Sequence, residues 1–166
     1  IPGPEEDSQN KHMVGKSGQY LEKVLNKHGV DMRRDCHLTN ALICHPNSLS
    51  VLENNVISYC RPNLTKTIDE LQPDSIILLG GVAVQSILPK AWGSADYRNS
   101  GRWVGWSIPC QSLNAWIFPT YHPGIVLRLE NQVLEMEFER QNSLQYNPTK
   151  AFGLPNCSPY SSNLLL

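Results

Sequence analysis

The clearest hydrophobic pattern in the chain is an unbroken apolar run, Ile76-Ile77-Leu78-Leu79, launched by Pro73-Asp74 and closed by Gly80-Gly81. A run with no polar alternation fits a strand covered on both faces, as at the centre of a parallel sheet. A second run, Ala115-Trp116-Ile117-Phe118, has the same character, and Trp103–Ile108 and Cys36–Ile43 read as further short strands. Between them the period changes. Leu21, Val24 and Leu25 recur at helical spacing after Ser17 and before Gly29, and Leu52, Val56, Ile57, Cys60, Leu64 and Ile68 do so over Leu49–Ile68, with a kink or a break expected at Pro62. Val82, Ala83, Ile87 and Leu88 form a third helical stretch, followed by a loop from Pro89 to Gly101. Ile125, Val126, Leu127 and Leu129 start a fourth. Residues 2–11 read as a Pro-Gly-Pro turn running into an acidic, polar loop. From Asn142 onward, Asn, Ser and Pro dominate and periodicity fades.

Strands alternating with helices predict a three-layer α/β/α sandwich around a mostly parallel sheet. Residues 1–140 are assigned to this domain and 141–166 to a polar tail lying over the surface or contacting a partner. In such sheets ligands bind at the carboxyl ends of the strands, so the loops after Asn40, Leu79 and Phe118 are expected to meet.

Composition narrows the partners. The 166 residues carry a formal net charge of −1 and 40% hydrophobic residues, and no apolar run approaches a membrane span. Near-neutral charge excludes polyanion binding by bulk electrostatics and leaves only a local basic patch for that purpose. Five scattered cysteines, Cys36, Cys44, Cys60, Cys110 and Cys157, suit reduced thiols of an intracellular protein or ligands gathered from afar better than a disulfide framework. A chain opening on Ile1-Pro2-Gly3 without a Met reads as a fragment.

The strongest chemical signal is Phe118-Pro119-Thr120-Tyr121-His122-Pro123-Gly124, a strand passing through a tight turn into a helix start. Backbone N–H groups and the positive end of a helix dipole gather at such a point. A histidine there can donate to an anion forming on a substrate or shuttle a proton. It can equally cap the helix.

Several stretches, in order, resemble the uracil-DNA glycosylase superfamily, specifically its iron–sulfur branch (family 4), over roughly residues 2–130. They are Pro2-Gly3 with Val14-Gly15-Lys16-Ser17-Gly18-Gln19, then Thr39-Asn40-Ala41-Leu42-Ile43-Cys44, then Cys60-Arg61-Pro62-Asn63-Leu64. Leu79-Gly80-Gly81-Val82-Ala83-Val84-Gln85 and Pro119-Thr120-Tyr121-His122-Pro123 complete the set. The resemblance implies an enzyme that flips uracil out of DNA and hydrolyses its N-glycosidic bond. On that footing His122 stabilises the departing uracil and Asn40 reads the base edge. Pro2, Gly3, Met13 and Gly80 line the substrate site. Gly81, Pro123, Gly124 and Arg128 are expected at DNA phosphates, with Arg98 and Arg102 as further cations. Cys44 and Cys60 match two of the four thiolates of a 4Fe-4S cluster; the other two belong upstream of the Pro-Gly motif.

Three departures from the family pattern bear on activity. The acidic residue that handles the attacking water would fall just before Ile1; Glu5, Glu6 and Asp7 lie beyond it and read as solvated. The aromatic residue that stacks on the flipped base is Met13, preceded by His12. A glycine three residues before that position is Asn10. Two functions therefore remain: a uracil-DNA glycosylase, or an inactive glycosylase fold serving as a DNA- or protein-binding module of a larger assembly, the tail being the contact.

Overall fold

The computed structural model describes residues 2–43, 54–92, 100–129, 136, 138 and 163–166. Their helices are α1 (Pro4–Gln9), α2 (Lys16–Lys27), α3 (Met32–Asp35), α4 (Asn54–Leu71), α5 (Gly81–Trp92) and α6 (Pro123–Leu129). The strands are β1 (Cys36–Leu38), β2 (Ser75–Leu79), β3 (Ile108–Cys110), β4 (Ala115–Thr120) and β5 (Asn163–Leu165). They form one sheet in the order β1-β5-β2-β4-β3, parallel throughout except for the β3–β4 pair.

The unbroken apolar run of β2 is explained by cover on both faces. Ile76 and Leu78 point into one core with Leu64 and Ile68 of α4 and Ala83, Val84, Ile87 and Leu88 of α5. Ile77 and Leu79 point the other way, to Leu21, Val24 and Leu25 of α2, Val126 of α6, Met32 and Phe138. Alternate side chains of one strand thus serve opposite layers, and the three-layer sandwich follows. All five residues of β2 are buried.

The structure corrects several expectations. Pro4–Gln9 is a helix; its acidic residues sit in the first turn, where the helix dipole favours them, and its amphipathic signal is lost because it buries no side chain. Helix α2 starts one residue before Ser17, with Gly15 as cap, although Gly29 ends it as expected: at φ +77° Gly29 allows the Val30 N–H to reach the Leu25 carbonyl. Of the kink or break expected at Pro62, the break does not occur: helix α4 continues through it. Leu64 and Ile68 beyond the proline are buried, and Arg61 donates to the Ser86 and Gln85 carbonyls of α5, so tertiary contacts outweigh the lost backbone bond. Helix α5 likewise runs past Pro89 to Trp92. The third strand begins at Ile108, not Trp103; residues 103–105 form a turn in which Gly105 donates to the Pro119 carbonyl.

The largest correction concerns the end of the chain. Asn163–Leu165 does not lie over the surface but pairs with both β1 and β2. Leu164, Leu165 and Leu166 are buried, each pointing to the face opposite its neighbour. The boundary placed at residue 140 falls outside the described residues.

Candidate active site

The parallel register Leu79↔Thr120 brings the ends of β2 and β4 side by side, and the Gly80 N–H donates to the Thr120 carbonyl. Gly80 sits at φ +85°, and a Cβ on it would lie 2.9 Å from the Cβ of His122. Glycine is required here twice over, for the left-handed turn and for the close approach of the histidine. Two of the three loops expected to converge therefore do so.

His122 is fixed by its own turn. Its Nδ1 accepts from the Gly124 N–H at 3.0 Å, while its carbonyl accepts from Ile125. A neutral imidazole whose Nδ1 accepts carries its proton on Nε2, which is left as a donor. Burial pushes the His122 pKa below the ordinary histidine value, with the charge of Arg128 adding to the effect and Glu6 opposing it. Near neutral pH the ring is an uncharged donor. Gly124 also lets α6 close on α2, since a Cβ there would meet the Ser17 hydroxyl at 2.9 Å.

A second cluster surrounds Asn40, just beyond β1. A cavity of about 280 Å³ is lined by Pro2, Glu6, His12, Thr39, Asn40 and Ile43, among others. Across it Asn40 Nδ2 lies 3.1 Å from His12 Nδ1. Pro2 and Asn40, expected together, do share this space; His122 is not among its lining residues.

Glu6 is the residue that sequence reasoning missed. Rather than being solvated, its Oε1 accepts from the Val14 and Gly15 N–H groups at 3.0 and 2.8 Å. Partial burial raises its pKa, but these bonds and others from Gly3 and its own N–H outweigh that and hold the carboxyl below its usual value. Gly3 and Gly15 leave room for this carboxylate, and a Cβ on either would press on it. The signal lay in the pattern acid–loop–Val-Gly preceding a helix whose first N–H groups lack intrahelical partners.

Met13 is held at φ 55° with its carbonyl accepting from Arg33, and its side chain packs partly on the α2–α6 core. Of the expected phosphate contacts, Gly81 opens α5, Pro123 and Gly124 open α6, and Arg128 is exposed on α6. Arg102 is exposed, and Arg98 lies outside the described residues.

The thiols do not assemble a cluster site within the described residues. Cys60 is half-buried on α4, Cys36 packs toward the α2–α6 core and Cys110 is buried in the α4–α5 core beside the Ser112 hydroxyl. Among the described residues no three His, Cys, Asp or Glu side chains converge as metal ligands. Cys44 lies outside them.

These features define a parallel α/β domain that gathers an uncharged imidazole donor, an amide and two glycine-bounded helix starts toward the carboxyl end of its sheet. A family model described as the Uracil DNA glycosylase superfamily matches residues 1–145. The chain is 30% identical over 143 residues to the Type-4 uracil-DNA glycosylase of Saccharolobus solfataricus, covering 84% of this chain and 65% of that protein. It is 28% identical over 152 residues to the Type-4 uracil-DNA glycosylase of Sulfurisphaera tokodaii (90% and 69%) and 28% over 129 residues to that of Thermotoga maritima (76% and 62%). The chain belongs to the uracil-DNA glycosylase superfamily. It spans only 62% to 69% of the length of these relatives.

Proposed function

We propose that this domain hydrolyses the N-glycosidic bond of a uracil flipped out of DNA. The observation that carries this reading is the Gly124 N–H on His122 Nδ1, which keeps Nε2 as a donor on a desolvated, uncharged ring. Bond cleavage leaves negative charge on the uracil and positive character on the sugar. A preorganised neutral donor aimed at the uracil O2 stabilises that charge without a proton transfer. Asn40 pairs with the base edge, while Pro2, Gly3, Met13 and Gly80 shape the base site. The α5 start at Gly81, the α6 start at Pro123-Gly124 and exposed Arg128 take DNA phosphates. Glu6 is not assigned the attacking water: its carboxylate is occupied by two backbone donors and is a weakened base.

The names of the relatives support a DNA substrate. Cys44 and Cys60 can supply two of the four thiolates that a 4Fe-4S cluster needs. Iron content and visible absorption of the purified protein, with Cys60→Ser as control, test that assignment.

Uracil release from a single-stranded, uracil-containing oligonucleotide tests the activity. Release that collapses in His122→Ala supports it. No release from folded wild type, with DNA binding retained, supports the binding-module reading. One observation favours that alternative: Met13 spends part of its surface on the core and offers a base no aromatic face.

A further inference from the structure

The position occupied by His12 is absorbed by none of the roles above, yet its ring faces the one side chain assigned to read the base. We propose that His12 is a positioning residue that fixes the amide orientation of Asn40 and so sets the preference for uracil over cytosine. The inference rests on the base-reading role of Asn40.

The geometry is specific. Asn40 Nδ2 and His12 Nδ1 are 3.1 Å apart, so the amide nitrogen donates and the imidazole nitrogen accepts. The loop that carries His12 is itself tied down: Arg33 donates to the His12 and Met13 carbonyls, each at 2.7 Å. The contact also spans a cavity of a size to admit a base edge.

An amide has two faces of opposite hydrogen-bonding sense. With Nδ2 on the His12 side, Asn40 has one N–H left for the O4 of uracil and Oδ1 for its N3–H. Rotating the amide half a turn would set Oδ1 against the Nδ1 lone pair and present the base with the pattern complementary to cytosine, which has a donor at N4 and an acceptor at N3. An accepting Nδ1 thus selects the uracil-complementary amide. A proton on Nδ1 reverses the preference, because the ring then donates and Oδ1 becomes its partner.

Groups around the ring favour its neutral form, the form in which Nδ1 can accept. Partial desolvation lowers the His12 pKa, and the charges of His37 on β1 and Arg33 on α3 act in the same direction; Glu6 on α1 opposes them. Asp7 and Lys11 complete the charged lining of the cavity.

The test compares wild type, His12→Ala, His12→Gln and Asn40→Ala on single-stranded oligonucleotides carrying uracil or cytosine, from about pH 8 down to about pH 5. In parallel, NMR follows the Asn40 side-chain amide signals over the same titration. The loss of one orienting hydrogen bond corresponds to about a tenfold fall in the uracil-to-cytosine ratio of kcat/KM for His12→Ala at neutral pH. The same fall appears in wild type on acidification. His12→Gln, whose amide donates as well as accepts and does not titrate, keeps a contact without selecting an orientation, so its ratio falls toward that of His12→Ala and no longer varies with pH, separating this effect from protonation of His122. The Asn40 amide signals of wild type shift with the His12 titration.

His12→Ala with an unchanged ratio, while Asn40→Ala loses uracil release, overturns the positioning role and leaves the base-reading role standing. Asn40→Ala with full release and ratio removes both. If folded wild type releases no uracil, the glycosylase reading fails on its own. The amide signals then decide, and indifference to the His12 titration overturns the contact.

Discussion

His122 and His12 make the same kind of hydrogen bond by different means. Each presents Nδ1 as an acceptor and each has a lowered pKa. The donor to His122 is a backbone N–H two residues away in its own turn, so the tautomer is built into the local chain path. The donor to His12 is a side chain 28 residues distant, across an open cavity. A locally closed bond survives anything that leaves the turn intact. One closed through tertiary structure depends on the loop, on β1 and on the proton itself. The first arrangement suits a group that must always donate, the second a group whose effect can be tuned.

The comparison is broken most severely at His122. His122→Ala should lower single-turnover uracil release by about 10²–10³-fold, the usual cost of removing one donor from a site of developing negative charge. The fold should be retained, as read by thermal denaturation. Next in size, Gly80→Ala forces a Cβ into the left-handed turn and against His122. It should lower stability by about 1–2 kcal/mol in chemical denaturation and reduce uracil release with it. Glu6→Ala acts on the other side of the contrast, leaving the Val14 and Gly15 N–H groups without their acceptor. A loss of about 1–2 kcal/mol, and looser packing of the His12 loop in hydrogen exchange, is expected.

The smallest effect is a sharpening by pH. A histidine whose folded pKa is depressed binds fewer protons in the native state than in the unfolded one. The contribution of His122 and His12 to stability is therefore complete above the ordinary histidine pKa and declines as pH falls from there toward their lowered folded values. Glu6 has a depressed carboxylate pKa, so its contribution is present above the ordinary glutamate value and lost on further acidification. Denaturation midpoints should fall in two stages, and His122→Ala should diminish the upper one while Glu6→Gln diminishes the lower.

Much of this architecture was legible because it is written in short-range patterns. The Ile76–Leu79 and Ala115–Phe118 runs, the Gly80-Gly81 turn and the Pro119–Gly124 passage each encode their conformation within a few residues. Glu6 was opaque because an acidic residue on a polar helix looks solvated until the partner N–H groups are placed beside it. The His12–Asn40 contact could not be read, since it joins a loop to a strand end with no shared motif. Asn163-Leu164-Leu165 was equally hidden: three residues after a polar stretch carry too little periodicity to announce a strand, and only their slot between β1 and β2 identifies them.

That slot sets a timetable. β1 and β2 are not neighbours; each pairs with β5, so the sheet is continuous only once residues 163–165 are in place. During synthesis, everything up to α6 leaves the ribosome with an open seam between the edge strand β1 and the β2-β4-β3 strands. Closing it requires a contact spanning more than 120 positions along the chain, from Cys36 to Asn163. Long-range closure of this kind is slow, and the exposed strand edges on either side of the seam are then open to other chains.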